Sequence, residues 1–238
     1  MGKEAGGSEA AHRLPGIKAC VFDAYGTLFD VNAAAEARAD RLGEGWKALA
    51  DTWRVKQLTY SWLRGLQGAY APFSQVTGEA LDFAMESHGI ADPQLRHELM
   101  DLYFRLTTYA EVPDVLERLK TAGMRTAILS NGSPDMLNAA VKNAGIAPLL
   151  DKVLSVDELK TFKPDPRVYQ LACDRLGVAP GEVCFQSSNA WDAHAASHFG
   201  FRVVWINRFG QAAERLPGRP DITLKTLAPL PGVVGVEG

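Results

Sequence analysis

The sequence predicts an α/β protein, a parallel sheet wrapped by helices, with a helical bundle inserted after the first strand. Three observations predict it. Short apolar runs of strand length alternate with helical patterns along most of the chain. The helical patterns carry their own entry and exit signals, Asp or Ser with Pro at the start and Gly at the end. One long segment, 33–109, breaks the alternation and holds no strand candidate.

The strand candidates are 18–22, 125–129, 152–155, 182–185 and 202–206, with a short last one at 221–224. Each is rich in Val, Ile, Leu or Phe and is bounded by turn residues, as a strand buried on both faces requires. Between them, "PDVLERLKTAG" spans 113–123, "SPDMLNAAVKNAG" spans 133–145 with Ser133 as N-cap, and "DPRVYQLACDRLG" spans 165–177. The inserted segment reads as one long helix, "WKALADTWRVKQLTYSWLRGL", then "SQVTGEALDFAMESHG", then "DPQLRHELMDLYFRL" capped by Asp92 and Pro93. A shorter helix over 33–41 is expected before them. Helices at this spacing make a small bundle. The expected organisation is a tail over 1–15, a core of 16–32 and 110–238, and a helical cap of 33–109. The final "PLPGVVGVEG" is Pro- and Gly-rich and is expected to fray.

Composition narrows the function classes. The chain has 238 residues, 47% hydrophobic and 22% charged, with a formal net charge of −3. That is the profile of a globular protein, without the basic excess of a nucleic-acid binder. No run approaches the about 18 apolar residues of a membrane span. The N-terminus lacks the apolar stretch of a secretory signal. Three widely spaced cysteines, Cys20, Cys173 and Cys184, read as buried thiols of a reducing cytoplasm rather than a disulfide framework.

In open α/β sheets, sites form beyond the carboxyl ends of the strands. The first strand ends in Asp23, at the start of "DAYGT". The second ends in Ser130-Asn131-Gly132. The loop after the third carries Thr161-Phe162-Lys163-Pro164-Asp165. The fourth ends in Ser187-Ser188-Asn189-Ala190-Trp191-Asp192. Singly, each has a commonplace reading: Asp23 as a turn former, Lys163 as a solvated loop residue, Asp192 as a helix N-terminal charge. Together they place a carboxylate, hydroxyls and amides, an ammonium and a second carboxylate on one sheet edge, so that Asp23 faces Lys163 and Asp192.

This set resembles the haloacid dehalogenase superfamily, and is most similar to its (S)-2-haloacid dehalogenases. The stretches that carry the resemblance are "FDAYGTLFDV", "WRVKQLTYSWLR", "ILSNGSPDML", "KPDPRVYQLA", "SSNAWDA", "FGF" and "WINR". The resemblance implies a Rossmann-like core and Asp23 as a nucleophile that forms an ester with the substrate. It assigns Arg54 to meet the departing halide, with Asn131 and Trp191, although periodicity alone leaves Arg54 a solvated helix residue. Asp192 is implied as the general base, with Thr27, Ser187, Asn189 and Tyr169 orienting the carboxylates and water. Lys163 is implied to hold Asp23 ionised. Backbone N–H groups of Ala24 and Tyr25, which a turn exposes, are expected to bind the substrate carboxylate or an oxyanion, joined by the Ser130 hydroxyl. Leu58, Trp62, Phe73 and Trp191 resemble an apolar wall for the alkyl group, although aromatics on cap helices are commonly core.

Phosphatases of this superfamily use a second Asp two residues after the nucleophile, where this chain has Tyr25. A phenol, with a pKa near about 10, is a poor substitute. Their fourth motif supplies an extra Asp toward Mg²⁺; here only Asp192 is acidic in that stretch. A halide leaving group needs neither proton nor metal, so no cofactor and no metal are expected. The expected partners are a small 2-haloacid and halide, with no nucleic acid and no membrane, in a cytoplasmic protein that relatives suggest is a homodimer. A Mg²⁺-dependent phosphatase and a non-catalytic interaction module remain the alternatives.

Overall fold

The computed structural model describes residues 13–31 and 36–236. Six parallel strands form one sheet in the order β3-β2-β1-β4-β5-β6. They are β1 (Ala19–Phe22), β2 (Arg125–Ser130), β3 (Lys152–Ser155), β4 (Val183–Ser187), β5 (Arg202–Ile206) and β6 (Ile222–Leu224). The expected strands therefore form, with ends shifted by a residue or two. Central β1 is apolar throughout, because neighbours on both sides and helices on both faces leave it no contact with solvent. Phe22 stands in register with Ile128 of β2 and Gln186 of β4, so the residues that follow these strands emerge on one edge. The strand order reverses at β1 and β4, where a parallel sheet opens a crevice.

The excursion after β1 is helical. Its described helices are α1 (Ala39–Leu42), α2 (Trp46–Gln67), α3 (Phe73–Ser87) and α4 (Pro93–Tyr103). Part of the segment expected as a helix over 33–41 lies outside the described residues; the rest holds α1. Helix α2 buries Leu49, Trp53, Gln57 and Ser61, a stripe at four-residue spacing that faces α3 and the core. It stops at Gly68, whose φ of 65° lets its N–H reach back to the carbonyls of Arg64 and Gly65. Asp92 caps α4 by accepting from Leu95 N at 2.9 Å. The two crossings between sheet and bundle are tied to each other. Asp30 N donates to Thr107 O at 3.1 Å, and Tyr109 N donates to Leu28 O at 3.0 Å.

The remaining helices are α5 (Val112–Thr121), α6 (Pro134–Asn143), α7 (Pro166–Leu176), α8 (Ala190–Phe199) and α9 (Leu230–Val233). Three expectations need correction. The C-terminal segment is not frayed through residue 236: it forms α9, and Leu230, Val233 and Val234 are buried, with α9 packed on α5. Burial of these side chains outweighs the Pro and Gly content of the segment. Residues 1–12 of the expected tail lie outside the described residues, but Leu14 is buried and donates its N–H to Val233 O at 2.8 Å. Ser133 occupies the N-cap position of α6, yet its hydroxyl donates to the Asp135 carboxylate and makes no cap bond. All three cysteines are free and buried.

Candidate active site

Asp23 leaves the end of β1 and is only 5% exposed. A buried carboxylate needs partners, and it has three. Lys163 Nζ donates to Oδ1 at 3.1 Å, Asn189 Nδ2 to Oδ2 at 2.8 Å, and Thr27 Oγ1 to Oδ2 at 3.3 Å. Gly26, with a φ of 85°, turns the chain sharply enough to bring Thr27 back over Asp23. Thr27 Oγ1 also accepts from Ser188 N at 2.8 Å, which locks the turn after β1 to the turn after β4.

Lys163 is 1% exposed. Its Nζ bridges Asp23 and Asp192, standing 2.8 Å from Asp192 Oδ2, and lies over the Phe185 ring. Its backbone N–H donates to Asn131 Oδ1 at 2.9 Å, so the loop after β2 holds the loop after β3 in place. Burial by itself lowers an ammonium, but here Asp192 and Asp23 outweigh it and hold Lys163 above its ordinary value. Asp192, also 1% exposed, receives Tyr169 Oη on Oδ1 at 2.8 Å. Burial raises its carboxyl above the usual carboxylate range, with Lys163 pulling the other way and Asp23 adding to the rise. Burial, reinforced by Asp192, holds the Tyr169 phenol well above its usual value, so it acts as a neutral donor.

The bundle contributes Arg54, half-buried on α2. Its Nη2 donates to Asn189 Oδ1 at 3.0 Å and its Nη1 to Gln57 Oε1 at 2.7 Å. Asn189 thus accepts from a cation of the bundle on its oxygen and donates from its nitrogen to the Asp23 carboxylate. Ser187 Oγ accepts from Asn189 N at 3.1 Å and shapes that turn. Ser130 is buried, and its Oγ accepts from Gly132 N at 3.1 Å, which ties it into its own turn.

The aromatic residues divide into two groups. Phe73 is buried and its ring lies 6.2 Å from that of Tyr25, which also packs on Tyr103 at 5.5 Å. Trp62 and Trp191 meet edge to face at 5.3 Å across the boundary of bundle and sheet. A cleft of about 1210 Å³ opens beside Trp62, Phe162, Lys163, Tyr169 and Trp191; Asp23 and Arg54 are not among its walls. Leu58 is half-buried on α2, one residue beyond Gln57. Ala24 and Tyr25 are buried directly after Asp23, and Ala24 O accepts from Leu28 N at 2.9 Å. Burial drives the Tyr25 phenol well above its ordinary value, and the nearby Asp23, Tyr103 and Asp135 push the same way.

Whether these residues fit a divalent cation is a matter of donors. Asp23 and Asp192 converge on an ammonium. Among the described residues no three His, Cys, Asp or Glu side chains gather as cation ligands. A divalent cation here would have Asp23 and Asp192 as its acidic ligands, and both are already paired with Lys163.

Two contributors carried no signal when read singly. Gln57 looks like any polar helix residue until it is found on the buried stripe of α2, three residues after Arg54. Arg208, the last residue of "WINR", donates Nη2 to Thr27 O at 3.0 Å while its Nη1 pairs with Glu111 at 2.7 Å. It braces the turn that carries Thr27.

A strand-end carboxylate, a buried lysine and a second buried acid at the crevice of a parallel sheet, beneath a helical cap, mark an enzyme of Rossmann-like α/β fold built around an aspartate. The chain belongs to the haloacid dehalogenase-like hydrolases, whose family model matches residues 17–200. It is 50% identical over 216 residues to (S)-2-haloacid dehalogenase 1 of Pseudomonas sp. (strain CBS-3), covering 90% of this chain and 95% of that protein. It is 52% identical over 199 residues to (S)-2-haloacid dehalogenase 4A of Burkholderia cepacia, covering 83% and 86%. Among solved structures, L-2-haloacid dehalogenase from Xanthobacter autotrophicus, with chloropropionic acid covalently bound, superposes with a TM-score of 0.85 at 39% identity, covering 91% of this chain and 98% of that one. No helix among the described residues is long and apolar enough to cross a membrane.

Proposed function

We propose that this chain hydrolyses short (S)-2-haloalkanoic acids to (R)-2-hydroxy acids, through an ester on Asp23 and without a metal. The observation that carries this reading is the shared Lys163 between Asp23 and Asp192, with Tyr25 where a phosphatase keeps a second acid. Tyr25 is a buried phenol whose pKa burial pushes well above its ordinary value, so it does not ionise to supply the base that the second acid of a phosphatase provides. A halide leaves without one.

An Asp23 oxygen attacks the carbon bearing the halogen from the opposite face. A C–O bond forms as the C–halogen bond breaks, the electron pair leaves with the halide, and configuration inverts. Arg54, helped by Asn131 and Trp191, meets the developing negative charge. The N–H groups of Ala24 and Tyr25 and the Ser130 hydroxyl hold the substrate carboxylate. Leu58, Trp62, Phe73 and Trp191 flank the alkyl group. Asp192 then takes a proton from water, which attacks the Asp23 carboxyl carbon. The bond from that carbon to the oxygen joined to the substrate breaks, Asp192 returns its proton to the leaving alkoxide, and the Asp23 carboxyl loses the second proton of the water to solvent, which regenerates the carboxylate. Thr27, Tyr169, Ser187 and Asn189 keep the two carboxylates and the water in place.

We assign 16–32 and 110–238 to the core and 33–109 to the cap; the paired crossings at Phe29 and Thr108 support this division. We place the protein in the cytoplasm, a reading supported by its three free, buried cysteines, and as a homodimer by likeness to its relatives. Its partners on this reading are the 2-haloacid and halide, not nucleic acid or membrane.

The test is halide release from each enantiomer of 2-chloropropanoate, with and without EDTA. Release from the (S) form alone, unchanged by EDTA, is expected. Activity lost on chelation and restored by Mg²⁺ overturns the metal-free reading, and strong p-nitrophenyl phosphate hydrolysis favours the phosphatase.

A further inference from the structure

Gln57 is a polar residue on the apolar stripe of α2, and it is 1% exposed. A primary amide at that depth must be satisfied on both ends. Its Nε2 donates to Thr77 Oγ1 at 2.8 Å, and the same nitrogen lies 3.1 Å from Tyr103 Oη. The Thr77 hydroxyl spends its one proton on Phe73 O at 2.7 Å, so toward Gln57 it only accepts. That fixes which way the amide points. Its nitrogen faces Thr77, and its oxygen faces Arg54 Nη1 at 2.7 Å. A guanidinium only donates, so both ends of Gln57 agree on one orientation.

Arg54 is therefore held at one end by Gln57 and at the other by Asn189, both through neutral amide oxygens. A carboxylate in either place would orient the guanidinium equally well, but it would also neutralise the charge. We propose that Gln57 is a positioning residue for halide departure: it aims Arg54 at the leaving group while leaving the full positive charge to stabilise it. The inference rests on the dehalogenase reading above. Helices α3 and α4 reach Arg54 through Thr77 and Tyr103, which lock the amide.

The test compares first-turnover halide release from (S)-2-chloropropanoate and (S)-2-bromopropanoate, followed by decay of the ester. Chloride is the poorer leaving group, so its departure depends more on a well-placed cation. Gln57→Met keeps the side-chain length and removes the amide. Chloride release is expected to fall roughly 10- to 100-fold, the scale of a catalytic group misplaced by about 1 Å. Bromide release should fall less, and ester decay should not change. Gln57→Glu keeps an acceptor but adds a charge, and should show the same chloride-weighted loss. If Gln57→Met does not fold, as judged by its melting transition, Thr77→Val frees the amide instead and should widen the bromide-to-chloride ratio. Unchanged chloride release, or equal losses for both halides and for ester decay, would overturn the proposal. Wild-type enzyme that releases no halide would instead sink the dehalogenase reading.

Discussion

Tyr169 Oη stands 2.8 Å from Asp192 Oδ1, on the carboxylate oxygen that Lys163 leaves free. The bond stabilises the ionised acid, opposing the burial that raises Asp192 above the ordinary value of an aspartate. A base works only when ionised, so hydrolysis of the ester should fail as pH drops through this raised value, above the range of an exposed aspartate. Because Asp23, Lys163 and Asp192 interact, the limb belongs to the cluster. Tyr169→Phe removes a lowering interaction and should move the acid limb of ester decay to higher pH. Single-turnover decay followed across pH checks this; an unmoved limb means the phenol does not bond the ionised form.

Arg54→Ala should cut halide release by about 10²–10³, the usual effect of removing one stabiliser of a developing charge. The fold should persist, since Arg54 is half-buried and its anchors are neutral amides. A chloride-release assay beside a thermal melt decides. Near-full activity would move the cation elsewhere.

Asp23 should become esterified, and water should attack its carboxyl carbon. One turnover in H₂¹⁸O with excess enzyme is expected to place ¹⁸O in the peptide that contains Asp23. Asp192→Asn should still form the ester and then accumulate it, visible as added mass on that peptide. If ¹⁸O enters only the product, Asp23 acts as a base toward water rather than as a nucleophile.

Gly132→Ala should destabilise the protein and weaken substrate binding together. A Cβ at this position would meet Tyr25 Cε2 at 2.8 Å and Leu137 Cδ2 at 2.9 Å, both in the packed core. Overpacking of this kind typically costs about 1–3 kcal/mol. Urea unfolding measures the loss. A raised KM for 2-chloropropanoate is the companion result, because the Tyr25 ring, packed on Phe73 and Tyr103, has little room to turn aside and passes the strain to the turn that carries its backbone N–H.

The order of elements was legible because its signals are local. Proline, aspartate and glycine at helix ends act within a turn, and apolar runs report burial whatever buries them. Asp23, Asn131, Lys163 and Asp192 could be assigned to one edge from sequence alone, because parallel strands send their carboxyl ends the same way. The same locality misread the C-terminus. Its Pro and Gly content speaks for fraying, while the burial of Leu230 and Val233 against α5 outweighs it. Only tertiary structure joined Arg54 to Asn189, residues 135 positions apart, and only it showed that Gln57 is buried and what satisfies it. Helical periodicity says which face a residue occupies. It does not say what lies opposite, and a buried polar group takes its role from the donors and acceptors that other elements place within about 3 Å.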